Sequence, residues 1–233
     1  MTPAELAADL AEQIWAGDAP AGSRLAPERA LAAQFRVSRP TVRRALRRLA
    51  EEGLVRIVRG RLGGAVVQAG AVPPEVLHAT AETPAVEALL EARHTLEPAV
   101  ACLAAERATP EDLAALGRAV EEQREARDGW AADLQRDARF HLRIARATHN
   151  PTLVATMRKL QLDLYRARFH ALRAPHSPRL LAEIHERTLT ALRTGDRARI
   201  EEDLREHLGW LERVAGASAT AKEKGPLAGE GRG

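Results

Sequence analysis

Five helix-breaking signals, Thr109-Pro110, Asp128-Gly129, Asn150-Pro151, Ser177-Pro178 and Thr194-Gly195-Asp196, divide the chain beyond residue 85 into segments of helical length. Proline is tolerated in the first turn of a helix and glycine just past its last, so each signal marks an end and a beginning. The segments 85–107, 110–127, 130–149, 151–172, 178–194 and 196–213 are therefore expected to be helices. Short connections make sequential helices antiparallel neighbours, and helices with no sheet to cover bury their apolar stripes on one another. An all-α helical bundle is the architecture that remains. Composition agrees: aromatics are only 3% of 233 residues and Ala, Leu, Arg and Glu dominate, the bias of a mainly α chain. The stretch 214–233 lacks apolar residues to bury and is expected to be a disordered tail.

The first 70 residues follow another plan. Leu6, Leu10, Ile14 and Trp15 recur at helical spacing between Pro3 and Gly17. A short second helix is expected near Pro27 with Leu31 and Phe35 inward, and a third runs from Ser38, a good N-cap residue, to Gly53. Two β-favouring runs, LVRIV and AVVQ, flank RGRLGG, whose glycines suit a hairpin turn. Residues 71–84 hold three prolines and no period, and read as a linker or irregular connection between an N-terminal domain, 1–70, and a helical domain, 85–213.

Net charge is only +3, so what matters is where the charge sits. Residues 36–61 hold nine arginines against two acids, Glu51 and Glu52. In the third helix Val42, Leu46 and Leu49 share one side, while Arg39, Arg43 and Arg47 project together and Arg44 and Arg48 flank them. No acid from Arg39 through Arg48 offers an i,i+4 partner, so this face repels itself until a polyanion arrives. A solvated basic face is the plainer alternative, because arginine is abundant throughout and lysine occurs only at Lys159, Lys222 and Lys224. Context favours DNA. Two helices joined by the tight QFRVS turn, the second basic and followed by a basic hairpin, make a winged helix-turn-helix whose second helix can enter the major groove.

Residues 24–68, RLAPERALAAQFRVSRPTVRRALRRLAEEGLVRIVRGRLGGAVVQ, resemble the DNA-binding domain of GntR-family transcription regulators. Carried over by position, the resemblance implies that Arg29, Arg39 and Arg43 contact DNA, with Ser38 and Thr41 near phosphate or base edges and Gly60 at the wing tip. Arg39 and Arg43 lie in the first turns of the recognition helix, where a guanidinium can take guanine O6 and N7 in bidentate fashion. Arg47 and Arg61 are assigned to phosphate. Three positions depart from the family pattern: Arg44 replaces a common glutamate, Arg36 a glycine in the turn, and Pro27 a small residue that could cap the second helix. If the turn needs a left-handed residue at position 36, arginine there costs on the order of 1 kcal/mol.

Of eight histidines, His78, His94, His149, His170 and His176 have no regular mutual spacing and read as exposed or singly hydrogen-bonded. His141 follows Asp137 by four residues, which puts both on one helix face. His185 and His207 bracket the turn at 194–196 at roughly 15 and 18 Å along antiparallel neighbours, so they could meet. An Asp with three His inside a bundle is an N/O site for Zn, Ni or another divalent ion. Structural histidines on packed helices are the competing reading. A second resemblance covers nearly all of 85–210: EARHTLEPAVACLAAERATPEDL, DARFHLRIARATHNP and EIHERTLTALRTGD with a final His207 look like the FCD effector domain of FadR-subfamily GntR proteins. It implies Asp137, His141, His185 and His207 as metal ligands, and Arg93 and Asn150 as pocket residues facing a carboxylate effector. Arg93 has an alternative partner in Glu97 at i+4, and Asn150 suits the helix boundary before Pro151.

The expectation is a transcription regulator that binds palindromic double-stranded operator DNA as a homodimer and responds to a small carboxylate. One recognition helix makes too few base contacts for selectivity, and a two-fold pair doubles them. A metal-dependent hydrolase fused to a DNA-binding head is the rival from another class; no HExxH-type motif accompanies the four ligands. A metal-free bundle serving only to dimerise is the third reading. The lone Cys102 excludes an intramolecular disulfide. The opening MTPAELAADLAEQIW carries acids unlike a signal peptide, and no apolar run is long enough for a membrane span, so a cytoplasmic protein with no membrane partner is expected.

Overall fold

The computed structural model describes residues 1–60, 63–73, 76–77, 85–171 and 177–209, with side chains in the fourth of these stretches described through 169. The head holds α1 (Pro3–Ala16), α2 (Glu28–Gln34), α3 (Arg39–Glu51), β1 (Val55–Val58) and β2 (Gly64–Val67). α1 begins in a capping box between Thr2 and Glu5 and ends on Gly17 at φ 79°, the left-handed stop that glycine adopts without steric cost. Ser38 caps α3 through its hydroxyl, which accepts from Thr41 N at 3.3 Å. The α2–α3 turn does place residue 36 in the left-handed region, at φ 52°, so Arg36 carries about 1 kcal/mol of strain that glycine would relieve. Pro27 precedes α2 with no side-chain cap.

β1 and β2 pair antiparallel, Val55 opposite Val67 and Val58 opposite Gly64, and Arg24 bridges to Val66 on the outer edge. Gly63 tucks beneath this hairpin: a Cβ there would lie 2.4 Å from Val58 O.

The bundle comprises α4 (Val86–Arg107), α5 (Pro110–Arg124), α6 (Trp130–Ala147), α7 (Pro151–Ala171), α8 (Pro178–Thr194) and α9 (197–209). Each of the five sequence breaks falls between two helices, and several are built caps. Thr109 and Asp112 form a capping box, Asn150 Oδ1 accepts from Thr152 N and Leu153 N, and Gly195 ends α8 at φ 68°. α5 packs on α8, α6 on α5 and α7, and α4 crosses α6, α7 and α8. α6 is therefore central, and twelve of its 18 residues are buried.

Head and bundle share one apolar core, which joins Leu6, Trp15, Val42 and Leu49 to Leu134, Leu142, Leu164 and Tyr165. Trp15 lies 5.6 Å from Tyr165 between ring centroids. The described part of 71–84 is anchored: Val72 and Leu77 are buried, Tyr165 Oη donates to Val72 O at 2.7 Å, and Val72 N donates to Gln135 Oε1 at 3.0 Å. A second core, among α4, α5, α6, α8 and α9, holds Leu116, Val120, Phe140, Ile144, Leu189 and Leu204. Among the described residues, no helix is long and apolar enough to cross a membrane.

Candidate metal centre and nucleic-acid interface

α6 presents Asp137 and His141 one turn apart toward the bundle interior, α8 presents His185, and α9 presents His207. All four side chains are buried, with one donor atom from each lying within 4.8 Å of the others. Asp137 Oδ1 is 3.3 Å from His185 Nε2, 3.7 Å from His141 Nε2 and 3.9 Å from His207 Nε2. Phe140 stacks on the His185 ring at 4.0 Å and fixes its plane.

A ring of charged groups encloses these four. Arg168 Nη1 donates to Asp137 Oδ2 at 2.9 Å. Arg93 Nε donates to Glu97 Oε1 at 2.8 Å, so the i+4 pairing is formed, and its Nη2 reaches 2.7 Å from His141 Nε2 and 3.8 Å from Asp137 Oδ2. Glu97 Oε2 lies 2.7 Å from His141 Nδ1, and Gln161 Nε2 donates to Glu97 Oε1 at 2.7 Å. A carboxylate on Nδ1 orients that imidazole with Nε2 facing the cluster.

Burial acts on every ionisable group here, and its outcome depends on the neighbours. Burial alone would raise Asp137 and Glu97, but Arg168 with three imidazoles holds Asp137 well below the carboxylate range, and Arg93 with His141 brings Glu97 down to about 2. Burial lowers His185, and takes His207 down to about 3 against the pull of Asp137. At neutral pH both present neutral imidazoles, the form that binds metal.

The residues fit a divalent cation. Asp137 Oδ1 and both ring nitrogens of His185 and His207 are buried without a hydrogen-bond partner. Leaving a buried polar atom unsatisfied costs about 1–3 kcal/mol, so a cluster of such atoms aimed at one another calls for a shared partner. Three imidazoles and one carboxylate are the donor set of Zn, Ni and similar borderline ions. Beside the cluster a cavity of about 10 Å³, lined by Glu97, Val100, His141, Ile144, Met157 and Leu204, has space for about one water.

Arg93 belongs to this centre. Asn150 has its side-chain carbonyl committed to the start of α7, the boundary role read as its alternative. Arg168 and Gln161 on α7 join the centre with no local sequence signal to mark them, and Glu97, expected only to pair with Arg93, also reaches His141. His149 bonds Asp112 at 2.9 Å; His78 and His176 lie outside the described residues, as does the side chain of His170.

On the head, α3 buries Val42, Ala45, Leu46 and Leu49 and exposes Arg39, Arg43, Arg44, Arg47 and Arg48. Arg29 and Ser38 are exposed, Thr41 is half-buried beside Ser38, and Gly60 sits at the exposed hairpin end with φ 107°. Arg61 lies outside the described residues. Glu28 of α2, unremarked in the sequence, reaches Arg43 and Arg39.

Residues 2–66 match the bacterial regulatory proteins of the gntR family, and residues 88–209 match the FCD domain. A putative L-lactate dehydrogenase operon regulatory protein of Escherichia coli is 33% identical over 204 residues, 82% of this chain and 77% of that protein. The galactonate operon transcriptional repressor of the same species is 34% identical over 152 residues, 62% of this chain and 66% of that one. The solved E. coli protein McbR/YncC, at 23% identity, aligns over 94% of this chain and 99% of its own with a TM-score of 0.53, which shows a common fold. This chain belongs to the gntR family of bacterial transcription regulators, with a winged helix-turn-helix head followed by an FCD domain.

Proposed function

We infer that this regulator binds its operator as a dimer and that a small carboxylic acid, held at a divalent metal in the bundle, sets its affinity for DNA. The supporting observation is the buried Asp137–His141–His185–His207 cluster with its unpartnered donor atoms. A bound divalent ion would supply positive charge and open coordination positions for oxygen ligands.

Charge balance supports an anionic effector. Two buried carboxylates, Asp137 and Glu97, offset two buried guanidiniums, Arg93 and Arg168, and against burial the Glu97 and Asp137 carboxylates raise His141, so the site carries no surplus of negative charge to meet an incoming ion. A dication leaves about two positive charges buried, and an anionic ligand is what lowers that cost. Arg93, whose guanidinium lies against His141 Nε2, is the group placed to turn onto a carboxylate in bidentate fashion. Lactate and galactonate, which appear in the names of two similar regulators, are both 2-hydroxycarboxylates, with a carboxylate and an adjacent hydroxyl. The cavity of about 10 Å³ is too small for such a molecule, so α4, α7 or α9 has to give way when it enters.

The route to the head runs along α6. One face carries Asp137 and His141. Other positions hold the end of α1: Arg139 Nε donates to Trp15 O and Nη2 to Ile14 O, both at 2.7 Å. Gln135 donates to Trp15 O at 3.0 Å, and Arg146 reaches Ala16 O at 3.0 Å and Asp18 Oδ1 at 2.6 Å. α1 in turn packs on the recognition helix α3. A displacement of α6 therefore re-aims the DNA-reading heads relative to the half-site spacing, a population shift with the effector favouring one packing.

Elemental analysis of the purified full chain, with thermal unfolding across 2-hydroxy acids, tests this reading. We expect about one divalent ion per chain and a rise in Tm with acid that disappears after chelation. Metal-free protein that no acid stabilises would refute the sensor and leave a dimerisation module.

A further inference from the structure

The recognition helix has no acid of its own from Arg39 through Arg48, yet its reading arginines do not stand alone. Residues 24–60 contain three acids. Of these, Glu52 pairs with Arg48 at the far end of α3, at 2.9 Å, and Glu51 closes the helix. Glu28, in the first turn of α2, faces the N-terminal turns of α3, where side chains meet base edges. Its Oε1 accepts Arg43 Nε at 3.3 Å and its Oε2 accepts Arg43 Nη2 at 3.2 Å, while Arg39 Nη2 lies 3.7 Å from the same carboxylate.

We propose that Glu28 is a specificity-determining positioning residue, which clamps one edge of the Arg43 guanidinium so that its other edge is presented to guanine. A guanidinium is planar, and its five N–H groups form two usable edges. Glu28 takes the Nε/Nη2 edge, and the Nη1/Nη2 edge left over has the spacing of guanine O6 and N7. Hydrogen bonding to Arg43 also holds the Glu28 carboxyl below its usual value, so the clamp stays ionised at neutral pH.

The pair is largely exposed, with side-chain exposures of 52% for Arg43 and 30% for Glu28, so it adds little to stability and its use is geometric. A carboxylate on the DNA-facing side also repels phosphate. It weakens binding to any duplex while fixing the arginine that recognises one sequence, which raises the ratio between the two affinities. This role rests on the assignment of Arg43 to base readout and is independent of the metal centre.

The test is selection of full-length wild type, Glu28→Gln and Glu28→Ala on a pool of randomised duplexes, followed by anisotropy titrations of the enriched duplex and of a scrambled one at several salt concentrations. For Glu28→Ala we expect affinity for the enriched duplex to fall roughly tenfold and affinity for the scrambled duplex to rise, with a salt slope steeper by about 0.9 as a released arginine finds phosphate. Glu28→Gln, which keeps an acceptor and loses the charge, should fall between. Equal loss on both duplexes, with unchanged enrichment, would mean that Glu28 only braces α2 against α3 and would overturn the proposal. Wild type that enriches no guanine-containing site would remove the Arg43 assignment and the proposal with it, and that result is read in a separate arm.

Discussion

Asp137→Ala is expected to lower the free energy of unfolding by about 3–5 kcal/mol, because it leaves buried arginine charge without its partner. Asp137 is 1% exposed; Arg168 donates to its Oδ2 and Arg93 lies 3.8 Å from the same oxygen. For a chain of this length the loss corresponds to a Tm lower by roughly 10 °C. Bound metal should vanish as well. Pairing Asp137→Ala with Arg168→Met separates the two effects: relieving the stranded charge should restore part of the Tm, while metal stays absent. Calorimetry and elemental analysis on the four proteins check this, and an Asp137→Ala protein with wild-type Tm would show that the buried ions are not coupled as their distances imply.

The second large effect lies at the other end of the molecule. Arg43→Ala should leave folding intact, since the side chain is exposed, yet reduce affinity for the preferred duplex by roughly 10- to 100-fold and relax discrimination at one base pair. Arg47→Ala is expected to act differently, weakening all duplexes alike and lowering the salt slope by about one. In a two-fold assembly each substitution counts at both half-sites. Titrations of matched and mismatched duplexes distinguish them; an Arg43→Ala protein whose preference among duplexes is unchanged would move base readout to another residue.

Local signals carried much of this architecture. The breaks at 109–110, 128–129, 150–151, 177–178 and 194–196 are legible because proline, glycine and capping side chains act on the backbone within a few residues. Arg36 shows the same locality: the turn imposes φ 52° whichever residue stands there. Asp137 and His141 share a helix face, and His185 and His207 become level through a short turn, so helix geometry allows the four to meet, while only the resemblance to the FCD domain singled them out as one ligand set.

What escaped depends on contacts between distant segments. Arg168 and Gln161 complete the charge balance from α7, and no periodicity says which polar residues of a helix turn inward to satisfy another helix's ion. Glu28 lies 15 residues from Arg43, outside any i,i+4 pattern. Residues 71–84 read as a linker because prolines erase periodicity, yet Val72 and Leu77 are buried and Val72 is bonded on both sides, to Gln135 and Tyr165. The Gln135, Arg139 and Arg146 bonds to the end of α1 were equally invisible, since arginines spaced along a helix read as a solvated face until the partner carbonyls are seen.

Coupling between the buried cluster and the DNA-binding face is read by titrating a duplex from the gene's own upstream region, with and without a 2-hydroxy acid, for wild type and His185→Ala. Both proteins should bind in a salt-sensitive manner, with an acid-dependent shift of the midpoint in wild type that His185→Ala lacks. A shift of equal size in both would contradict it.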